Sequence, residues 1–302
     1  MPNRLLLAAA RKPGLKKLIT GTPITKAVAR RFVAGETLEE AVQAARNLNT
    51  GGLGAILDYL GENCSTGEQA DAGQDAYIAS LETIVSGHLD SHVSVKLTQL
   101  GLDQSFDGCL ARMEKIVARA AEARTTVAID MESHQYTDAT IEMYRKLLGT
   151  HSNVVLCLQA YLKRTARDIE GLLPLAPKIR LCKGAYDEPN EISFDRHETS
   201  RNYIELLEML LLGSEYTAVA THDDLLVRAA VKTARRLSLP LERIEFQMLF
   251  GVRRELQIGL AERGYAVRVY VPFGDQWYPY LMRRLAERPA NMRFFAEALI
   301  RG

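Results

Sequence analysis

A (β/α)8 barrel is the fold class this sequence predicts, on three observations. Eight short apolar runs recur along the chain. Amphipathic helical stretches lie between them, and the polar residues that interrupt the runs fall near their C-terminal ends. A chain of 302 residues with 47% hydrophobic and 25% charged residues can bury a large core, as one barrel or as two ordinary domains. An open doubly wound sheet with a separate helical domain is the alternative; eight similar units favour closure.

Residues 1–50 read as a helical arm ahead of the main fold. The apolar start of the chain is short and is cut off by Arg11-Lys12-Pro13, so it does not read as a signal peptide. No apolar run approaches the ~18 residues of a membrane-spanning helix, which leaves peripheral membrane contact open. Arg30-Arg31-Phe32-Val33-Ala34-Gly35 ends one helix on a glycine, and Thr37-Leu38-Glu39-Glu40 is a capping box for the next. The strand-like runs follow at residues 55–61, 93–98, 126–131, 154–159, 179–184, 217–222, 244–249 and 266–271. Helical patterns cover residues 66–85, 109–123, 139–148, 225–237 and 253–263. No linker, low-complexity tract or repeat of residue identity divides residues 51–302, so they are taken as one barrel domain.

After the last run, Pro279 suits the first turn of a final helix. Tyr280, Arg283, Arg284 and Glu287 then share one helical face, and Leu281, Met282 and Leu285 hold the other. Two guanidiniums beside a tyrosine make a socket for a carboxylate or phosphate, because arginine offers planar paired donors. A solvated face of Arg–Glu pairs is the plainer reading of that spacing.

In a (β/α)8 barrel the reacting groups lie at the C-terminal strand ends. Here those ends carry Lys96, Asp130, Gln159, Arg180 with Lys183, Thr221 with His222, Gln247 and Tyr270. Each alone has an ordinary structural account, such as a Lys96–Asp130 ion pair or a packed His222. Together they argue for a polar ligand in the barrel mouth, since buried polar groups must find partners. A formal net charge of +1 gives no basic field for nucleic acid. Gly51-Gly52-Leu53-Gly54 precedes a strand instead of following one, and no P-loop, zinc-spaced cluster or GxSxG elbow is present. The four cysteines are far apart; Cys157 and Cys182 sit in apolar runs, where small buried thiols are usual. This fits a reducing, cytoplasmic setting.

Six motifs carry a family resemblance: Ile129-Asp130-Met131-Glu132, Leu158-Gln159-Ala160-Tyr161, Arg180-Leu181-Cys182-Lys183-Gly184-Ala185-Tyr186, Ala220-Thr221-His222-Asp223, Glu245-Phe246-Gln247-Met248-Leu249-Phe250-Gly251, and the segment 277–291. In this order they resemble the proline dehydrogenase family, in its short, monofunctional bacterial type. The resemblance implies a distorted (β/α)8 barrel that binds FAD, with the last helix over the barrel mouth. It implies oxidation of L-proline to Δ1-pyrroline-5-carboxylate by hydride transfer, with electrons passed to a membrane quinone.

Position by position, the resemblance makes Arg283 and Arg284 the grip on the proline carboxylate, with Lys96 as a third cation. Tyr270, Tyr280 and Leu249 would line the substrate ring, and Tyr186 would close one side. Asp130 would sit beside Lys96 and the arginine pair. Arg180 would lie against the reactive edge of the flavin. Met131, Gln159, Lys183, Gly184, Ala185, Thr221 and His222 would contact FAD, and Glu287 would steady an arginine. The secondary amine must lose its proton, so activity is expected to rise with pH. Cys182 departs from the aliphatic residue expected in its motif, Phe250 stands where a tyrosine is common, and Asp275-Gln276 replaces an expected Arg-Asp. Two other readings follow from the residues: a Schiff-base lyase using Lys96 or Lys183, and a binding protein without turnover.

Overall fold

In the computed structural model, which describes residues 29–287 without the side chains of 285–287, eight parallel strands close into a barrel in sequence order. They are β1 (Gly54–Tyr59), β2 (Ser91–Val95), β3 (Val127–Ile129), β4 (Val154–Gln159), β5 (Lys178–Cys182), β6 (Tyr216–Ala220), β7 (Ile244–Leu249) and β8 (Ala266–Phe273). Closure is made by β1 and β8, paired from Gly54 with Arg268 to Tyr59 with Phe273. Each of the eight expected runs therefore forms a strand, and the open-sheet alternative falls.

The helices are α1 (Leu38–Thr50), α2 (Gly67–Ser86), α3 (Phe106–Glu122), α4 (Thr137–Leu148), α5 (Thr165–Leu172), α6 (Arg196–Gly213), α7 (Asp224–Arg236), α8 (Arg254–Ala261) and α9 (Trp277–Glu287). The capping box that starts α1 is formed: the Thr37 hydroxyl accepts from Glu40 N–H while the Glu40 carboxylate accepts from Thr37 N–H. Helix α1 precedes the first strand yet lies against β1 and β8, and its Ala41 and Ala45 are buried in the main core. Residues 1–28 of the expected arm lie outside the described residues.

Alternation along the strands separates core from site. Leu57, Val93, Val95, Ile129, Leu156, Leu181, Val219, Phe246 and Val269 belong to the main apolar cluster. Residues one step out of phase, Asp58, Ser94, Arg180 and Tyr270, turn away from it and form one polar network with Asp130 and Lys96, just beyond β3 and β2. Because strand side chains alternate with a period of two, each strand serves both the helix layer and the barrel interior.

Helix α9 does not join the outer ring. Trp277, Tyr278, Tyr280, Leu281 and Met282 pack with Ala29, Phe32, Val33 and Leu60 in a second, smaller apolar cluster. The Trp277 indole N–H donates to the Glu36 carboxylate at 3.1 Å. These contacts hold the helix across the barrel mouth, with Tyr280, Arg283 and Arg284 on the cavity below.

Candidate active site

A cavity of about 590 Å³ opens at the C-terminal strand ends. Its walls include each residue that the sequence nominated except Glu287: Lys96, Asp130, Met131, Gln159, Arg180, Lys183, Gly184, Ala185, Tyr186, Thr221, His222, Gln247, Leu249, Tyr270, Tyr280, Arg283 and Arg284.

The floor is a buried ion network. Lys96 Nζ donates to Asp58 Oδ1 at 2.8 Å and to Asp130 Oδ2 at 3.1 Å, and lies 3.4 Å from the Tyr270 hydroxyl. Asp130 also accepts from Ser94 Oγ at 2.6 Å, from the Tyr270 hydroxyl at 2.8 Å and from the Arg180 guanidinium. Arg180 donates to Ser94 Oγ as well and stands over the Tyr270 ring, 5.6 Å from its centre. Two cations thus face two carboxylates where water is excluded. Burial pushes the Asp130 carboxyl upward, but the charges of Lys96 and Arg180 and the hydrogen bonds of Ser94 and Tyr270 outweigh it and hold it below the ordinary range. For Asp58 burial wins over Lys96, and its carboxyl is raised. Burial pulls the Lys96 ammonium down, yet Asp58, Tyr270 and Asp130 raise it well above the usual lysine value.

Beside the floor, Glu132 accepts from Thr98 N–H at 3.0 Å and from Thr98 Oγ1 at 2.6 Å. Burial drives its carboxyl up to about 7. Gln159 donates to the carbonyls of Met131 and Glu132, while its buried Oε1 has no hydrogen-bond partner. On the opposite wall Lys183 pairs with Asp223 at 2.7 Å and reaches Ser200 Oγ at 3.2 Å. Gly184 has φ +111°, and a Cβ there would fall 2.2 Å from the Tyr161 ring, so the motif requires glycine. His222 Nε2 accepts from Leu249 N–H at 2.9 Å, which assigns the proton of the neutral ring to Nδ1.

In the roof, Arg283 grips Glu62 with two hydrogen bonds, 2.6 and 3.1 Å, and lies 5.7 Å from the centre of the Tyr186 ring. Arg284 stands 5.2 Å from the centre of the Tyr280 ring. The arginines thus face the cavity and not the solvent. The Glu287 side chain lies outside the described residues. Asp130 was expected beside both Lys96 and the arginine pair; the bonds it makes are with Lys96, Arg180, Ser94 and Tyr270, and the carboxylate on Arg283 is Glu62.

Asp58, Glu62, Ser94 and Glu132 joined the site without being singled out in the sequence. Asp58 had a local signal, a carboxylate inside an apolar run. Glu62 and Ser94 had none, being ordinary polar residues in a loop and a strand. Glu132 lay in a quoted motif without an assigned role.

Three comparisons bear on this site. The family model for proline dehydrogenase matches residues 41–297. The chain is 40% identical over 278 residues to proline dehydrogenase 1 of Bacillus subtilis subsp. natto, covering 92% of each protein. It is 35% identical over 306 residues to the proline dehydrogenase of Deinococcus radiodurans, covering 99% of this chain and 98% of that protein. The proline utilization A structure from Bdellovibrio bacteriovorus inactivated by N-propargylglycine matches with a TM-score of 0.81 at 23% identity, over 86% of this chain and 32% of that one; at that identity the likeness is one of fold. With the motifs, the closed barrel and relatives of matching length in agreement, this chain belongs to the proline dehydrogenase family, in its short, monofunctional bacterial type.

Proposed function

We propose that this proline dehydrogenase, an oxidoreductase of the first step of proline catabolism, oxidises L-proline to Δ1-pyrroline-5-carboxylate with FAD as the hydride acceptor and a membrane quinone as the final acceptor. The observation that carries the reading is the shared cavity: paired arginines above, a fixed Arg180–Asp130–Lys96 network below.

The residues suit a flavin. Gln159 Oε1 is a buried acceptor without a partner, fit for a ring N–H. Gly184, whose missing Cβ leaves room for the Tyr161 ring, lines the same wall with Met131, Lys183, Ala185, Thr221 and His222. FAD, when bound, supplies a two-electron acceptor for hydride. Arg180, clamped by Asp130 and Ser94, supplies a fixed positive charge that favours an electron-rich ring.

Arg283 and Arg284 bind the carboxylate of proline, and Tyr186, Leu249, Tyr270 and Tyr280 shape the space for its ring. Arg283 is bonded to Glu62, so a substrate carboxylate competes for the same fork of donors. Lys96 acts at longer range, because its hydrogen bonds are committed to Asp58 and Asp130. Anchoring the carboxylate holds the carbon next to nitrogen in one orientation, which makes the transfer a positioned step. A Schiff-base reading fares poorly, since it needs a neutral amine. Lys96 is held protonated by its carboxylates, and Lys183 is paired with Asp223.

Among the described residues no helix is long and apolar enough to cross a membrane. A cytoplasmic enzyme touching the membrane peripherally, at its inner face, would bring the cavity to a lipid-soluble quinone, and residues 1–50 are proposed as an N-terminal arm whose helix α1 docks onto the barrel of 51–302. The test is the visible spectrum of the purified protein before and after L-proline is added without oxygen. A flavin spectrum that bleaches is expected; bound flavin that does not bleach would overturn the assignment.

A further inference from the structure

Glu188 lies on the strap 183–195 between β5 and α6 and has no part in the proposed reaction. Its neighbours Asp187 and Pro189 are exposed, yet its own side chain is buried. A buried carboxylate must find donors. Glu188 Oε1 accepts from His134 N–H at 2.8 Å and from the Tyr161 hydroxyl at 3.2 Å, and Oε2 meets the His134 ring at Nδ1. A carboxylate only accepts, so that contact assigns the ring proton to Nδ1. His134 follows Asp130, Met131 and Glu132 on the β3–α4 loop, and Tyr161 follows Gln159 on the β4–α5 loop. One side chain therefore joins three loops of the cavity wall.

The two halves of the strap are held differently. Beyond Glu188 it is tied by backbone: Leu162 and Ser193 form an antiparallel bridge, Lys163 N–H donates to the Ile192 carbonyl at 2.9 Å, and Phe194 N–H donates to the Tyr161 carbonyl at 2.7 Å. At its start Tyr161 N–H donates to the Lys183 carbonyl at 2.9 Å, and the Tyr161 ring lies in the space a Cβ on Gly184 would take. Between these anchors stands Tyr186, half-buried, with its ring 5.7 Å from the Arg283 guanidinium. We propose that Glu188 is a positioning residue for the substrate: by clamping the strap to the β3–α4 loop it holds Tyr186 against Arg283, and so sets the affinity for proline. This rests on the reading that Arg283 takes the proline carboxylate. A guanidinium over an aromatic face is held only as firmly as the ring beneath it. Glu188 does not line the cavity and acts through Tyr186. Its loss should therefore weaken binding, which raises KM and leaves kcat in place.

The experiment compares the full-length protein with Glu188→Ala, Tyr186→Ala and the double variant. It reads steady-state oxidation of L-proline with an artificial dye as acceptor, and amide hydrogen exchange by mass spectrometry. Glu188→Ala is expected to raise the proline KM about tenfold while kcat stays within about twofold, on the scale of a cation–aromatic contact. In the Tyr186→Ala background the same substitution should add less than about twofold, because its route is already gone. Exchange should quicken in peptides from 184–194 and 131–136 and stay unchanged in β7 and α7, a readout that needs neither flavin nor turnover. An unchanged KM in Glu188→Ala, fully multiplicative effects of the two substitutions, or exchange that quickens over the whole barrel would each overturn the proposal. If Glu188→Ala does not fold, His134→Ala decides: it trims a half-exposed ring and leaves the backbone donor. It should show the same pattern with a KM rise of about threefold, and no rise would overturn the proposal. An Arg283→Ala variant of unchanged KM would overturn the carboxylate reading and this proposal together; a raised KM there with an unchanged one in Glu188→Ala would overturn the positioning role alone.

Discussion

In the floor of the cavity, two cations and two carboxylates meet inside the barrel: Lys96 and Arg180 against Asp58 and Asp130. In the roof, Arg283 reaches one carboxylate, Glu62, from a helix packed on a small separate cluster. The floor side chains keep between 0% (Asp58) and 12% (Asp130) of their exposure, whereas those of Arg283 and Glu62 keep 16% and 21%. Ions without water depend on each other, so the floor is rigid and costly to break. A partly wet pair exchanges partners at lower cost, which is what an anion-binding site needs. The difference suggests a division of labour: a fixed electrostatic base and an exchangeable grip.

The sharpest way to break this comparison is to remove one floor cation. Lys96→Met leaves two buried carboxylates with Arg180 alone to balance them, and should lower unfolding stability by about 3–5 kcal/mol in urea titration. Adding Asp58→Asn should recover a large part of that loss; additive losses would mean that the two residues are not coupled. The roof should respond in affinity instead. Arg283→Ala should raise the proline KM by the equivalent of about 2–5 kcal/mol, with a smaller loss of stability than the Lys96 variant. An unchanged KM would remove the carboxylate socket.

The third test sharpens the picture at the edge of the floor. Glu132 bonds to Thr98 instead of a cation, and its carboxyl rises to about 7 from an ordinary 4.5. The folded state thus holds the Glu132 proton more tightly than the unfolded state. That stabilisation is complete below the unfolded value and is lost as pH rises through about 7. Compared with Glu132→Gln, the unaltered protein should lose on the order of 3 kcal/mol of stability across that window. Unfolding curves at several pH values check it, and parallel pH dependences for the two proteins would show that burial does not govern Glu132.

Much of the architecture was legible because its signals are local. The eight apolar runs and the helical patterns between them need only short stretches of chain to be read. The pairing of Arg283 and Arg284 on one face follows from helical spacing alone. The lining residues were legible as polar groups at strand ends, and their roles were carried by the family motifs. The partners were not. Asp58 reaches Lys96 across 38 positions, Cys157 meets Cys182 across 25, and Arg283 meets Glu62 across 221. The four cysteines read as scattered, and nothing in their spacing showed that two share a wall.

By itself, then, the sequence determined a closed parallel barrel, the polar rim of its mouth, and a final helix with two arginines on one side. Only the tertiary structure decided which carboxylate neutralises which cation, that Glu62 occupies the grip, and that two thiols touch. The physical reason is that repeating patterns of two and 3.6 residues specify elements one at a time. The pairing of buried charges depends on which side chains share the same dry interior, and that is settled only when β1 meets β8 and the helix α9 lies across the opening.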